Sequence, residues 1–131
     1  MTDLLFVYGT LRSGLDHPQA KWLSKKSVLL GASTVQGRLY RISWYPGLVS
    51  TKNPKERVTG DLLRLTDPSS GLVQLDEYEG VAEGEYERKE VSLEFEGSEV
   101  NAWVYFYVGS TEELRWIPSG DFIQDLNVHF D

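Results

Sequence analysis

The stretch that decides the fold is Tyr86–Val108, which reads YERKEVSLEFEGSEVNAWVYFYV. In its first half, apolar side chains alternate with polar ones from Val91 to Phe95, which is the pattern of a strand with one face in water. In its second half, the run Trp103–Tyr107 is apolar on both sides and predicts a strand inside a sheet. Gly97-Ser98 predicts a two-residue hairpin turn between them.

Further strands and short helices are expected on both sides of this hairpin. Two helices are predicted, one around Pro18–Ser24 with Asp16 as its cap, and one that starts at Asp67-Pro68 and runs to about Glu79. The tail from Ile117 to Phe122 is rich in turn residues. Runs of apolar and β-branched residues predict the other strands at Leu4–Tyr8, Val28–Ile42 (one or two strands, bent at Gly31 and Gly37), Leu48–Ser50 and Val58–Leu65.

These elements predict the fold class. About six strands and one or two short flanking helices fit an α+β domain whose mixed sheet curls into a small β-barrel or half-barrel. Strands and helices do not alternate regularly, which argues against a doubly wound parallel sheet. The length of 131 residues predicts a single domain over 1–131.

Composition excludes several kinds of site. Cysteine is absent, so the chain has no disulfide, thiolate nucleophile or thiolate-bound metal. The only histidines, His17 and His129, are far apart and lack neighbours at metal-ligand spacing, so neither a histidine-based metal site nor a histidine-based catalytic triad is expected.

Charge argues against nucleic acid as a partner. The net charge is −7, and it divides into ten Lys/Arg and five Asp/Glu in residues 1–75 against three and fifteen in residues 76–131. An acidic protein gains no counterion-release binding to phosphates. The longest early apolar run, Leu4–Tyr8, is too short for a signal sequence, so we expect a cytoplasmic protein with no membrane partner.

Glu79 is the first candidate for chemistry. At helical spacing it shares a face with Leu72 and Leu75, which should press against the sheet. Partial desolvation and the nearby helix C-terminus would both raise the pKa of Glu79, as a general acid or base near neutral pH requires. The alternative is that its side chain rotates into solvent beside the helix cap. Asp76 and Glu77 point in other directions and are expected on the surface.

The loop after the first strand is the second candidate. Gly9 removes a side chain from Tyr8-Gly9-Thr10-Leu11, so a ligand could approach the main chain and be held by successive amide groups. The alternative is an ordinary strand end, because many strands stop at glycine. The loop lacks the spacing of a phosphate-binding loop.

The aromatic run Trp103–Tyr107 has two interpretations. Aromatic strands can present a stacking platform for RNA bases, but the acidic neighbouring strand would repel phosphates. Core packing is therefore the favoured interpretation. Tyr105, which has a polar tip on an apolar body, is the member expected to line a cavity.

Seven motifs in order along the chain give a family resemblance. Together they resemble the gamma-glutamylcyclotransferase-like superfamily, above all its small bacterial members and gamma-glutamylamine cyclotransferase. The motifs are Phe6-Val7-Tyr8-Gly9-Thr10-Leu11-Arg12, Tyr45-Pro46-Gly47-Leu48-Val49, Val58-Thr59-Gly60-Asp61, Leu75-Asp76-Glu77-Tyr78-Glu79-Gly80, Tyr86-Glu87-Arg88, Ala102-Trp103-Val104-Tyr105 and Ser119-Gly120-Asp121.

The resemblance implies a small β-barrel and the release of pyroglutamate (5-oxoproline) from a small γ-glutamyl compound. It places the family's proton-accepting glutamate on Glu79 and its substrate-holding loop on Tyr8, Gly9, Thr10 and Leu11. Tyr105 would shape the pocket, which Pro46, Gly47 and Tyr86 are expected to line. The reaction needs no metal or cofactor, and a monomer or weak homodimer is expected.

One departure from the family leaves the substrate open. Relatives often carry Asn after the basic end of the first loop, where this chain reads Ser13-Gly14-Leu15-Asp16-His17. A non-catalytic domain that keeps the same cavity and binds a small ligand is the rival interpretation.

Overall fold

Eight strands and three short helices form the part of the chain that the structure, a computed structural model, describes: residues 2–12 and 15–129, the last three as backbone only. The helices are α1 (Pro18–Lys25), α2 (Pro68–Tyr78) and α3 (Phe122–His129). The strands are β1 (Leu4–Val7), β2 (Ser27–Gln36), β3 (Arg38–Arg41), β4 (Pro46–Val49), β5 (Arg57–Leu65), β6 (Tyr86–Phe95), β7 (Ser98–Tyr107) and β8 (Arg115–Ile117).

The strands form one mixed sheet that curls into a half-barrel. Hydrogen-bonded neighbours follow the order β2-β5-β1-β7-β4-β3-β8, and β6 pairs with β7 along its whole length. The curl brings β2 towards β6, where the Ser33 hydroxyl donates to the Glu94 carbonyl at 3.1 Å. The predicted α+β half-barrel is thereby confirmed.

β1 and β4 both pair with β7, one after the other along the edge opposite β6, and they diverge from each other there. β1 and β4 both run parallel to β7, and they pair with it at Leu5↔Trp103 and Leu48↔Phe106 respectively. Where β1 ends, the phenol of Tyr8 bridges the other two strands: it donates to the Tyr105 carbonyl at 2.6 Å and accepts from the Leu48 amide at 3.2 Å. The chain beyond Tyr8 therefore leaves the sheet at a fixed point.

Side chains of β1 alternate between two apolar clusters, as the period of a strand requires. Phe6 points into the interior of the half-barrel, whereas Leu5 and Val7 pack on the outer face. Leu72 and Leu75 of α2 cover that outer face and are almost fully buried. This packing places the C-terminus of α2 near the end of β1.

The number of elements exceeds the prediction of about six strands and one or two helices. The predicted turn-rich tail contains β8 and leads into α3. β8 has only three residues, too few to show alternation. α3 carries a buried Asp125, which pairs with Arg41 and Arg115. The sequence of α3 therefore lacks the apolar spacing that predicts a packed helix face.

Two local expectations were wrong. The hairpin turn is Glu96-Gly97, not Gly97-Ser98, because Phe95 pairs with Ser98 and leaves two residues between the strands, both with positive φ. The cap of α1 is His17, which accepts a hydrogen bond from the Gln19 amide, because Pro18 already occupies the first helical position.

The remaining strand boundaries differ only slightly from the expected ones. The expected one or two strands over Val28–Ile42 are β2 and β3, and β4 begins two residues before Leu48. No helix among the described residues is long and apolar enough to cross a bilayer.

Candidate active site

A cavity of about 240 Å³ opens where β1, β4 and β7 diverge. Its walls are formed by the end of β1 and its loop, the β3–β4 turn with the start of β4, the end of α2, the following loop with the start of β6, and β7. The lining residues are Phe6, Val7, Tyr8, Gly9, Thr10, Leu11, Trp44, Tyr45, Pro46, Tyr78, Glu79, Glu85, Tyr86 and Tyr105. The structure thus brings together all but one of the predicted site residues.

Gly47 is the exception and does not line the cavity. A Cβ at this position would lie 2.7 Å from Cβ of Tyr107. The residue is therefore small because β4 packs closely on β7, not because a ligand approaches it. Pro46, its neighbour, does line the cavity.

Glu79 is held at the end of α2 by a glycine cap. Gly80 adopts a φ of +70°, its amide donates to the Glu77 carbonyl at 3.2 Å, and the Val81 amide donates to the Asp76 carbonyl at 3.0 Å. This pair of bonds is a Schellman motif, which ends a helix in a defined geometry. The helix limit expected from the sequence is confirmed, and the cap fixes the backbone from which the carboxyl enters the cavity.

The carboxyl of Glu79 is largely removed from water. Burial raises its pKa from the ordinary 4.5 to about 8, and the nearby charge of Glu85 contributes in the same direction. No side chain or backbone group among the described residues donates a hydrogen bond to it. A carboxyl with this pKa can give or take a proton near neutral pH.

Glu85 brings a second carboxylate into the cavity. Its Oε1 accepts a hydrogen bond from the phenol of Tyr45 at 2.5 Å. This bond, with burial, raises the pKa of Tyr45 to about 12. No lysine, arginine or histidine occurs among the lining residues of the described chain, so the cavity is acidic.

The loop after β1 presents main-chain donors to the cavity. Gly9, Thr10 and Leu11 line it, and their amide groups have no acceptor within residues 2–12 and 15–129. The Arg12 amide closes the turn by donating to the Gly9 carbonyl at 3.1 Å. Free amides in such a turn can receive a carboxylate or an oxyanion.

Arg12 anchors this loop from behind. Its guanidinium is buried and pairs with Asp121 at 3.1 Å and with Asp61 at 3.5 Å. From the sequence, no role is predicted for Arg12, Asp61 or Asp121 beyond their place in three separate motifs. Only the fold brings the three side chains into contact.

Tyr105 connects the central strand to α2. Its phenol donates to Oδ1 of Asp76 at 2.6 Å, and Arg88 pairs with the same carboxylate at 2.8 Å. Asp76, expected on the surface, is half-buried with 28% of its side chain exposed, because Arg88 of β6 and Tyr105 of β7 both bind its carboxylate. Tyr105 lines the cavity as expected, but its phenol is engaged in this bond.

Aromatic rings form the cavity entrance. The His17 ring stacks on Trp44 with centroids 5.5 Å apart, and it meets Tyr78 edge-on at 6.1 Å. Trp44 is 56% exposed. The Tyr78 hydroxyl lies 3.2 Å from that of Thr10, which connects the entrance to the loop after β1.

Tyr86 lines the cavity, as the sequence predicts. The phenol of Tyr86 donates to the Pro46 carbonyl at 2.7 Å, so its ring is fixed in the cavity wall.

Ser13 and Gly14, where the loop departs from the family pattern, lie outside the described residues. The same holds for the side chain of His129. Among the side chains described, no three His, Cys, Asp or Glu are grouped as metal ligands would be.

Comparison with known proteins gives the same family that the motifs indicate. A family model described as Gamma-glutamyl cyclotransferase, AIG2-like, matches residues 5–124. The Gamma-glutamylcyclotransferase family protein YtfP of Escherichia coli strain K12 is 31% identical over 121 residues, which cover 91% of this chain and 95% of that protein.

Solved structures agree with the fold. An uncharacterized protein from Pyrococcus horikoshii superposes with a TM-score of 0.73 at 23% identity, covering 98% of this chain and 97% of the other. The solution structure of ytfP from Escherichia coli gives a TM-score of 0.68 at 28% identity, covering 93% and 97%. With the family match over nearly the whole length, this chain belongs to the gamma-glutamyl cyclotransferase, AIG2-like family.

Proposed function

We propose that the protein is a cyclotransferase that releases 5-oxoproline from a γ-glutamyl amine or a γ-glutamyl amino acid. One observation carries the proposal: an unpartnered carboxyl with a pKa of about 8 shares a cavity with main-chain amides that have no acceptor among the described residues. The carboxyl suits proton transfer near neutral pH, and the amides suit a carboxylate or an oxyanion.

The reaction is an internal displacement. The α-amino nitrogen of the γ-glutamyl group attacks the γ-carbonyl carbon, a ring C–N bond forms, and the original amide C–N bond breaks. The α-nitrogen loses two protons as the ammonium becomes the N–H of the ring. Glu79 takes them in turn and gives them to the leaving nitrogen, which departs as an ammonium ion, so the enzyme is unchanged at the end. Proton transfer of this kind contributes roughly a hundred- to ten-thousand-fold in rate.

Orientation of the substrate supplies a further part of the rate. The two reacting groups belong to one molecule, so the main obstacle is to hold the glutamyl chain in a folded conformation. The amides of Gly9, Thr10 and Leu11 hold the α-carboxylate or the developing oxyanion. Tyr86 and Tyr105 form fixed walls.

The aromatic entrance faces the leaving group in this proposal. The glutamyl head occupies the inner cavity beside Glu79, so the leaving amine extends past Trp44 and Tyr78. These residues therefore contribute to the choice of substrate, together with the segment around His17.

A panel assay tests the proposal. The protein is incubated with γ-glutamyl amines, γ-glutamyl amino acids and glutathione, and 5-oxoproline is quantified. We expect catalytic release from at least one compound of the first two classes. Binding of panel members with no 5-oxoproline from any of them would instead favour a non-catalytic binding domain that keeps the same cavity.

A cytoplasmic location and a monomeric or weakly dimeric state stay predictions. Cell fractionation checks the first, and light scattering of the purified protein checks the second.

A further inference from the structure

Among the described lining residues, Glu85 carries the one carboxyl group that the proposed reaction does not use. It precedes β6, and its main chain is fixed on both sides: its amide donates to the Gly80 carbonyl at 3.1 Å, and its carbonyl accepts from the Val108 amide at 3.1 Å. Glu85 is therefore tied both to the cap that positions Glu79 and to the end of the central strand.

The side chain of Glu85 is also oriented. Tyr45 donates to Oε1. The other oxygen, Oε2, lies 3.4 Å from the position that a Cβ on Gly80 would take, next to Glu79. The phenol thus holds one oxygen and leaves the second on the side of the helix end.

The charges of the groups around Glu79 show which of them can pair with a cation in the cavity. The groups around Glu79 are the carboxylate of Glu85 and five phenols, from β1, the β3–β4 turn, α2, β6 and β7. The pKa of all five phenols is raised, by the hydrogen bond to Glu85 in Tyr45 and mainly by burial in Tyr8, Tyr78, Tyr86 and Tyr105, so they stay neutral in the physiological range. Asp76 and Arg88 lie behind Tyr105 and neutralise each other. Among the described lining residues, only Glu85 can form an ion pair with a cation when Glu79 is protonated.

The γ-glutamyl group brings such a cation. Its α-ammonium must lie within reach of Glu79, since Glu79 takes a proton from it in the proposed reaction. A partly buried ammonium is costly unless it is paired.

We propose that Glu85 is a second binding carboxylate of the site, which holds the α-ammonium of the γ-glutamyl group together with Glu79 and is itself oriented by Tyr45. This inference rests on the proposed function for the identity of the ligand. Glu85 thereby recognises the ammonium and also acts on the proton affinity of Glu79, because an ammonium held between the two side chains favours the ionised form of Glu79. The substrate itself therefore converts Glu79 into the base.

Binding measurements test this role without turnover. L-Methionine sulfone carries an α-ammonium, an α-carboxylate and a sulfonyl group at the place of the γ-carbonyl, and it cannot cyclise. 5-Oxoproline has the carboxylate but no ammonium. In Glu85→Gln we expect affinity for L-methionine sulfone to fall about tenfold or more, while affinity for 5-oxoproline changes less than about twofold.

Two further variants separate the role from general disruption. Glu83→Gln removes an exposed acid of the same loop, whose Oε2 is 3.6 Å from the same position above Gly80 but outside the cavity, and it should change neither affinity. Tyr45→Phe leaves the carboxylate in place without its donor, and it should weaken binding of L-methionine sulfone by less than Glu85→Gln does.

The pH profile adds a readout that a purely structural role would not move. With an accepted substrate, kcat/KM should rise with pH through the pKa of Glu79 in the free enzyme, and Glu85→Gln should move this acid limb down by about one unit. The proposal is wrong if Glu85→Gln weakens both ligands equally, if it weakens neither, or if the parent protein does not bind L-methionine sulfone. If no γ-glutamyl compound yields 5-oxoproline, the proposed function fails, whereas the binding comparison still decides the role of Glu85.

Discussion

The phenol of Tyr105 donates to Oδ1 of Asp76 at 2.6 Å, and so links the central strand to the last turn of the helix that carries Glu79. Asp76 precedes Glu79 by three residues, and its carbonyl also accepts the amide of Val81 in the helix cap. The position of Glu79 thus depends on a contact between Asp76 and a side chain 29 residues further along the chain.

Tyr105→Phe tests this dependence. The substitution removes the phenol but keeps the ring, and Asp76 keeps its pair with Arg88. We expect a loss of about 1 kcal/mol in the free energy of unfolding and a fall in kcat of about tenfold, because a displaced base costs rate steeply. Urea unfolding and steady-state kinetics measure the two effects. An unchanged kcat would show that Glu79 does not need this contact.

Tyr8→Phe should damage stability more than Tyr105→Phe. The phenol of Tyr8 bridges the Tyr105 carbonyl and the Leu48 amide where β1 and β4 diverge, so both buried groups lose this partner. A loss of about 1–3 kcal/mol in unfolding free energy is expected. Tyr40→Phe is the matched control, since its partly exposed phenol only accepts from Arg38, and it should cost less than about 0.5 kcal/mol. Equal losses in the two variants would contradict the bridging role.

Gly9→Ala tests the close approach of the loop after β1 to Pro46. A Cβ on Gly9 would lie 2.8 Å from Cδ of Pro46, so the loop has to move away from the cavity wall. We expect binding of 5-oxoproline and the turnover rate each to fall about tenfold or more. Gly71→Ala provides the control: the nearest atom to its Cβ is 4.0 Å away, and this helical position should gain up to about 1 kcal/mol with turnover unchanged. If Gly9→Ala bound 5-oxoproline as the parent does, the close approach of the loop to Pro46 would not be needed for binding.

The pKa of Glu79 also predicts how stability depends on pH. Between the ordinary value of 4.5 and about 8, the folded protein retains a proton that the unfolded chain has lost. Stability therefore falls as pH rises through this range, and the penalty is complete above about pH 8.

Glu79→Gln removes that penalty. Relative to the parent, the variant should gain at least about 1 kcal/mol, or roughly 3 °C in Tm, between pH 5 and pH 8. Thermal unfolding at several pH values measures the difference. A parent and a variant with parallel pH dependence would contradict the raised pKa.

Sequence alone located the main parts of this site, but not the contacts between them. The spacing of Leu72, Leu75 and Glu79 predicts that all three lie on the packed face of a helix, because that relation is local. The role of Glu85 is not local: two glycines in the α2–β6 loop turn the chain back towards Glu79, and spacing gives no sign of it. Asp76 likewise looks like a surface acid until the fold places Tyr105 and Arg88 against it.

The fold shows the same limit. The long strands β6 and β7 follow from alternation and from the apolar run at Trp103–Tyr107. The helix α3 was not predicted, because a buried Asp125 paired with arginines resembles a solvent-facing charge in sequence. Buried ion pairs thus conceal an inner face from any argument based on apolar spacing.

The most direct test of the account compares binding and turnover in a single variant. Parent and Glu79→Gln are assayed for release of 5-oxoproline from the same γ-glutamyl substrate, and their affinities for 5-oxoproline are measured beside it. We expect the two affinities to lie within about threefold of each other and the turnover of the variant to be at least about a hundredfold lower. Turnover by Glu79→Gln at the rate of the parent would contradict the assignment of Glu79 as the acid–base group.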